Sequence, residues 1–165
     1  MVSEVMLQQT PVARVEPVWQ EWMARWPTPP DLASSSQAEA VSAWGRLGYP
    51  RRAMRLHQAA TAISRDHHGH VPQDLDALLA LPGIGDYTAR AIRTFAFGIP
   101  EPVVDTNVRR VIARAVGGQA EAGPPRTTAD REAVWEVLSP QSVDTQVVGA
   151  KALMELGAVV CTARK

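Results

Sequence analysis

The stretch LPGIGDYTAR, residues 81–90, decides how the rest of the chain is read. Two glycines stand two apart, after Leu81-Pro82 and ahead of a run with helical spacing that reaches Phe97. Helix on both sides of so tight a turn makes a helix-hairpin-helix. Gly83 and Gly85 carry no Cβ and are free to adopt positive φ. Backbone N–H groups at such a turn point outward, at the positive end of the helix that opens near Asp86, and this suits a phosphate. Leu81 and Ile84 are the apolar pins of the hairpin, and Thr88 and Ala89 are small enough for close packing. An αα-hairpin closed by a glycine C-cap shares the Gly-x-Gly, but the full string with its flanking helices favours the phosphate-binding form. Backbone contact to phosphate gives position, not sequence, so the chemistry must come from elsewhere in the chain.

Outward from the hairpin, apolar residues recur mostly at helical spacing and few segments read as strands. Helices are expected over residues 3–10, 11–26, 36–47, 51–68, 74–81, 86–97, 105–116, 128–139 and 145–160. Pro11 suits a helix start and Ser36 a cap, while PTPP at 27–30 is expected to break the chain. The pattern is an all-α helical bundle. Seventeen basic residues balance seventeen acidic ones, so a nucleic-acid partner must be argued from local clusters. The one cysteine, Cys161, excludes an internal disulfide. No run is apolar and long enough to span a bilayer, and the first ten residues are no signal peptide. A cytoplasmic location, no membrane partner and a monomeric state are expected.

Three features qualify as chemistry. Glu4 lies in SEVMLQQT among Val5, Met6 and Leu7; burial there raises a carboxyl's pKa and lets it hold a proton near neutral pH. An ordinary first-turn acid fits the same spot. Asp105 in VVDTNVRRVIAR is placed to cap a helix, and a cap also holds a carboxylate in one orientation. Arg109, Arg110 and Arg114 read as solvated charges. Tyr49 sits in a turn followed by Arg51, Arg52 and Arg55. An aromatic tip beside guanidinium groups can stack in a duplex while the arginines meet phosphates, or it is a partly buried turn residue.

In chain order, SEVMLQQT, LGYPRRAMRLHQAA, LPGIGDYTARAI, VVDTNVRRVIAR and LMELGAVVCTAR resemble the helix-hairpin-helix base-excision glycosylases of the endonuclease III superfamily, and within it the MutY-type adenine DNA glycosylases. The resemblance implies the HhH-GPD glycosylase fold: one catalytic domain over 1–165, with a barrel lobe of about 4–104, cluster-lobe helices of about 105–165, and a cleft between two helical lobes. It implies flipping and removal of adenine mispaired with 8-oxoguanine or guanine in double-stranded DNA. Glu4 matches the catalytic acid that protonates adenine N7, and Asp105 the anion that stabilises positive charge on the sugar. Tyr87 and Asn107 match residues beside that anion. Gln9 and Tyr49 match the residues that wedge into the stack, with Leu7 and Gln8 beside them. Arg51, Arg52, Gly83, Gly85 and Thr88 complete the expected DNA contacts. Bifunctional lyases of the superfamily place a Schiff-base lysine where Tyr87 stands, so a monofunctional glycosylase is expected.

Cys161 matches the first of four cysteines that hold a 4Fe–4S cluster in the family, and the resemblance places the other three beyond Lys165. It also implies an N-terminal segment before Glu4 and a C-terminal domain for 8-oxoguanine, so the chain reads as truncated at both ends. Two alternatives stay open: a thymine-mismatch glycosylase of the same superfamily, and a helix-hairpin-helix module that binds DNA without catalysis.

Overall fold

The computed structural model describes residues 1–163, and every regular element among them is helical. The chain packs as two compact units, one of Met1–Ala89 and one from Arg90 onward.

The first unit holds α1 (Val2–Met6), α2 (Val12–Arg25), α3 (Pro29–Ser34), α4 (Gln37–Trp44), α5 (Arg51–Asp66) and α6 (Leu75–Leu79). Its core is aromatic and aliphatic. The indole of Trp22 meets Trp26 edge-on at 5.0 Å and Trp44 at 5.6 Å, and Val5, Met6, Leu56, Ala59, Ile63 and Leu78 are buried with them. Helix α5 presents this core with Ala53, Leu56, Ala59, Ala60 and Ile63, the i, i+3, i+7 spacing of one helical face.

Two sequence expectations change here. PTPP does not break the chain but opens α3: Thr28 accepts from the Asp31 N–H while Asp31 accepts from the Thr28 N–H, and Pro29 and Pro30 occupy positions where a missing N–H costs nothing. The first helix ends at Met6 rather than Thr10. The carbonyls of Val5 and Met6 are taken by the Arg52 guanidinium, and the backbone then turns through a positive φ at Gln9.

The hairpin joins α6 to α7 (Asp86–Phe97). Asp74 caps α6 by accepting from the Ala77 N–H at 2.9 Å, and Leu81 and Ile84 are buried as expected. Gly83 has φ +79, and a Cβ there would lie 2.7 Å from Arg55 Cβ. Gly85 does not share the positive φ. Its carbonyl accepts the first backbone bond of α7, from the Ala89 N–H, which is the N-cap position and calls for no left-handed backbone.

The second unit contains α8 (Thr106–Ala115), α9 (Thr127–Leu138), α10 (Val143–Glu155) and a π-helical turn, Leu156–Val160. Its core is Val108, Ile112, Val134, Leu138 and Ala150, with Phe95, Val104 and Leu153 packed against it. Glu101 is buried between the guanidinium groups of Arg90 and Arg93. This pairing holds the extended segment that leads into α8. Gly157 is required by contact: a Cβ would fall 2.6 Å from Asn107 Cβ.

Candidate functional site

Within the first unit, the hairpin borders an open groove of ≈ 570 Å³ lined by Gln8, Arg55 and residues 83–88. Gly83 and Gly85 are exposed along it. A Cβ at Gly85 would meet nothing within 4 Å, so the bare backbone there is demanded by nothing inside the protein. Thr88 is turned inward. Its hydroxyl is buried and accepts from the Gln8 side-chain amide at 3.2 Å, which fastens the loop after α1 to the first turn of α7. Tyr87 is half-buried at that turn.

An adjoining groove of ≈ 490 Å³ is lined by Gln8, Gln9, Tyr49, Arg51, Arg52 and Arg55. Tyr49 is 66% exposed and Leu7 37%. Gln9 at φ 56 and Tyr49 at φ 50 both occupy the left-handed region. That region costs L-residues about 1–2 kcal/mol each, and strain of this kind gathers at functional sites. The three arginines have different environments. Arg51 and Arg55 are exposed. Arg52 points inward: its guanidinium donates to the carbonyls of Val5, Met6, Gln8, Leu47 and Gly48 and to the Thr10 hydroxyl. Burial draws it below the ordinary arginine pKa, against the pull of Tyr49.

Glu4 is half-buried on α1. Burial pushes its carboxyl above the ordinary carboxylate value, and the Met1 ammonium acts in the opposite direction. This is the environment that keeps a proton on an acid.

In the second unit Asp105 is the N-cap of α8. One carboxyl oxygen accepts from the Val108 N–H at 2.7 Å and the other from the Asn107 side-chain amide at 3.2 Å. Asn107 is oriented in turn by Arg110, which donates to its Oδ1 at 2.8 Å and to the carbonyls of Gly157 and Cys161 at 2.6 and 2.7 Å. Asp105 and Asn107 are therefore brought together by the protein, and Arg110 is a site residue that sequence reading missed. The three arginines of α8 are not solvated charges. Arg109 pairs with Asp130 at 2.7 Å and takes carbonyls of the 122–124 loop, and Arg114 donates to Ala120, Thr162 and the Cys161 sulfur. The signal for Arg110 was its place one turn after Asn107, where two side chains meet on a helix.

Four thiolates are needed to hold a 4Fe–4S cluster. The sequence has one cysteine, and among the described residues no group of three or more His, Cys, Asp or Glu side chains is placed to hold a metal. The residues present do not form a cluster site. No helix among the described residues is long and apolar enough to cross a membrane.

Comparison with known proteins gives a consistent picture. The family model described as HhH-GPD superfamily base excision DNA repair protein matches residues 2–137. An adenine DNA glycosylase of Mycobacterium tuberculosis is 56% identical over 164 residues, covering 99% of this chain and 53% of the relative. The chain thus spans about half the length of the curated relatives it matches. Among solved structures, a thermostable thymine-DNA glycosylase superposes with a TM-score of 0.86 at 26% identity, over 99% of this chain and 75% of that one. A non-covalent endonuclease III–DNA complex superposes at 0.84 and 23% identity, over 99% and 74%.

Proposed function

The chain belongs to the HhH-GPD superfamily of base excision DNA repair proteins, and on that premise we propose that it acts as a monofunctional adenine DNA glycosylase. The substrate is double-stranded DNA with adenine opposite 8-oxoguanine or guanine, and the acting species is a cytoplasmic monomer. The observation that carries this reading is the contrast between two carboxylates. Burial favours the protonated form of Glu4, while Asp105 is fixed by two hydrogen-bond donors that prefer an anion.

Glycosidic cleavage uses that contrast. The adenine leaves the stack, at a cost of a few kcal/mol. Glu4 gives its proton to N7, so the electrons of the breaking C1′–N9 bond pass into a neutral leaving base. Asp105 offsets the positive charge that develops at C1′, and Asn107 and Tyr87 serve beside it. Water adds at C1′ and its proton returns to the Glu4 carboxylate, leaving free adenine and an abasic site. Tyr87 stands where the bifunctional lyases carry a lysine, and a phenol forms no Schiff base. Gln9, Tyr49 and Leu7 wedge the duplex open at the lesion. Arg51 and the backbone at Gly83, Gly85 and Thr88 meet phosphate, with Gln8 bracing the loop.

The test is an excision assay on three duplexes: adenine opposite 8-oxoguanine, adenine opposite guanine, and thymine opposite guanine, each followed by alkali. Adenine release that needs alkali to cut the strand is the expected result. Release of thymine alone makes the protein a thymine-mismatch glycosylase. Duplex binding without any release reduces it to a DNA-holding module.

A further inference from the structure

We propose that Arg52 is a positioning residue that holds Gln9 and Tyr49 in their left-handed conformations and so sets both wedge side chains before DNA arrives. The inference rests on the glycosylase reading for what the wedge does, and on geometry within the first unit for how it is held.

The argument starts from the peptide planes. The angle φ of a residue describes rotation about its N–Cα bond, and therefore the orientation of the preceding peptide group. The carbonyl oxygens that precede Gln9 and Tyr49 belong to Gln8 and Gly48. Arg52 takes both, one with each terminal nitrogen. Fixing those two oxygens fixes the planes that φ measures. The same nitrogens reach Thr10 at 3.0 Å and Leu47 at 3.2 Å, so residues on both sides of Gln9 are tied. The guanidinium also lies 5.6 Å from the Tyr49 ring and 5.1 Å from the Trp44 ring. Trp44 adds its indole N–H to Gly48 O at 2.9 Å. Neither Arg51 nor Arg55 makes a hydrogen bond among the described residues. A planar fork with fixed donors can gather two loops in this way, and a lysine ammonium cannot.

The test compares Arg52→Lys with Arg55→Ala and the parent protein. Without DNA, hydrogen–deuterium exchange at residues 7–10 and 47–49 is expected to quicken together in Arg52→Lys while α3 and α5 exchange as before. With duplex, 2-aminopurine placed beside the mispair is expected to lose its fluorescence rise, and single-turnover excision to drop on the order of tenfold to a hundredfold. The slope of log affinity against log salt is expected to stay parental in Arg52→Lys. In Arg55→Ala it falls by about one, as for a lost phosphate contact. Unchanged exchange in both loops overturns the proposal. Changed salt dependence in Arg52→Ala with unchanged exchange makes Arg52 a phosphate contact instead. A melting temperature for Arg52→Lys far below the parental one overturns it too, because general loss of structure then explains everything. If the parent excises nothing, the glycosylase reading fails while exchange still decides the role of Arg52.

Discussion

Gln9 and Tyr49 stand on backbone that few residues of their kind adopt, whereas Asp105 stands where a helix calls for an acid. In the first region the conformation is costly and is kept by tertiary contacts, chiefly one guanidinium that reaches six acceptors. In the second the conformation is cheap, since capping by Asp stabilises α8 in its own right. The difference teaches that a site can be made rigid in two ways. A strained loop is presented ready to insert, at the expense of stability, while a capped helix start presents a charge in fixed orientation with no such cost.

Four measurements break or sharpen this comparison. The largest effect belongs to the carboxylates. Glu4→Gln and Asp105→Asn are each expected to slow single-turnover excision by about 10²–10⁴-fold, the range for a lost general acid or its partner. Glu4 carries a pH signature. Its folded pKa is raised, so the stability it contributes is complete below the ordinary carboxylate value of 4.5 and is lost as pH climbs through the folded value. Excision falls over the same rise, because the proton to be donated is gone. Glu4→Gln should therefore melt no lower than the parent above that range. A lower melting temperature there would show that the ionised form is the one the fold prefers.

The hairpin glycines come next. Gly83→Ala meets both a positive φ and Arg55 Cβ at 2.7 Å, and about 1–3 kcal/mol of stability should be lost. Gly85→Ser enters open space at an N-cap, so the melting temperature should hold while duplex affinity falls. If both variants melt alike, the two glycines share one structural task and the phosphate role of Gly85 loses its support.

Smaller still is the cap itself. Asp105→Ala is expected to destabilise by about 1 kcal/mol, while Asp105→Asn retains most of the cap and loses only catalysis. Thermal melts of the two variants separate the acid's structural role from its chemical one. The smallest effect concerns strain. Asn tolerates the left-handed region better than Gln, so Gln9→Asn should raise stability by up to about 1 kcal/mol. Excision should fall, because the shorter side chain fills less of the gap. A variant that gains neither stability nor loses activity would show that the left-handed turn at Gln9 is unstrained and unused.

Much of the fold is legible in the sequence because its signals are local. The periodicity around Leu56, Ala59 and Ile63 marks α5, the LPGIG string marks the hairpin, and Asp105 is a cap by residue type and position. The errors are also local signals, outvoted. PTPP reads as a breaker until Thr28 and Asp31 close a capping box around it. Residues 7–10 read as helix until Arg52 removes the carbonyls that would have continued it. The arginines of α8 read as solvated because their acceptors, loop carbonyls at 120–124 and 157–162, are distant in sequence.

What the sequence determined by itself is the set of helices, the hairpin, the identity of the two carboxylates and the family to which the order of its motifs points. Each depends on side-chain type and short spacing, which the chain carries wherever it goes. Only the tertiary structure decided which of Arg51, Arg52 and Arg55 faces inward, that Gly83 but not Gly85 needs its missing Cβ, and that Arg110 sets Asn107 against Asp105. These outcomes turn on where a guanidinium finds carbonyl oxygens left over by other segments. That inventory exists only once the segments have packed.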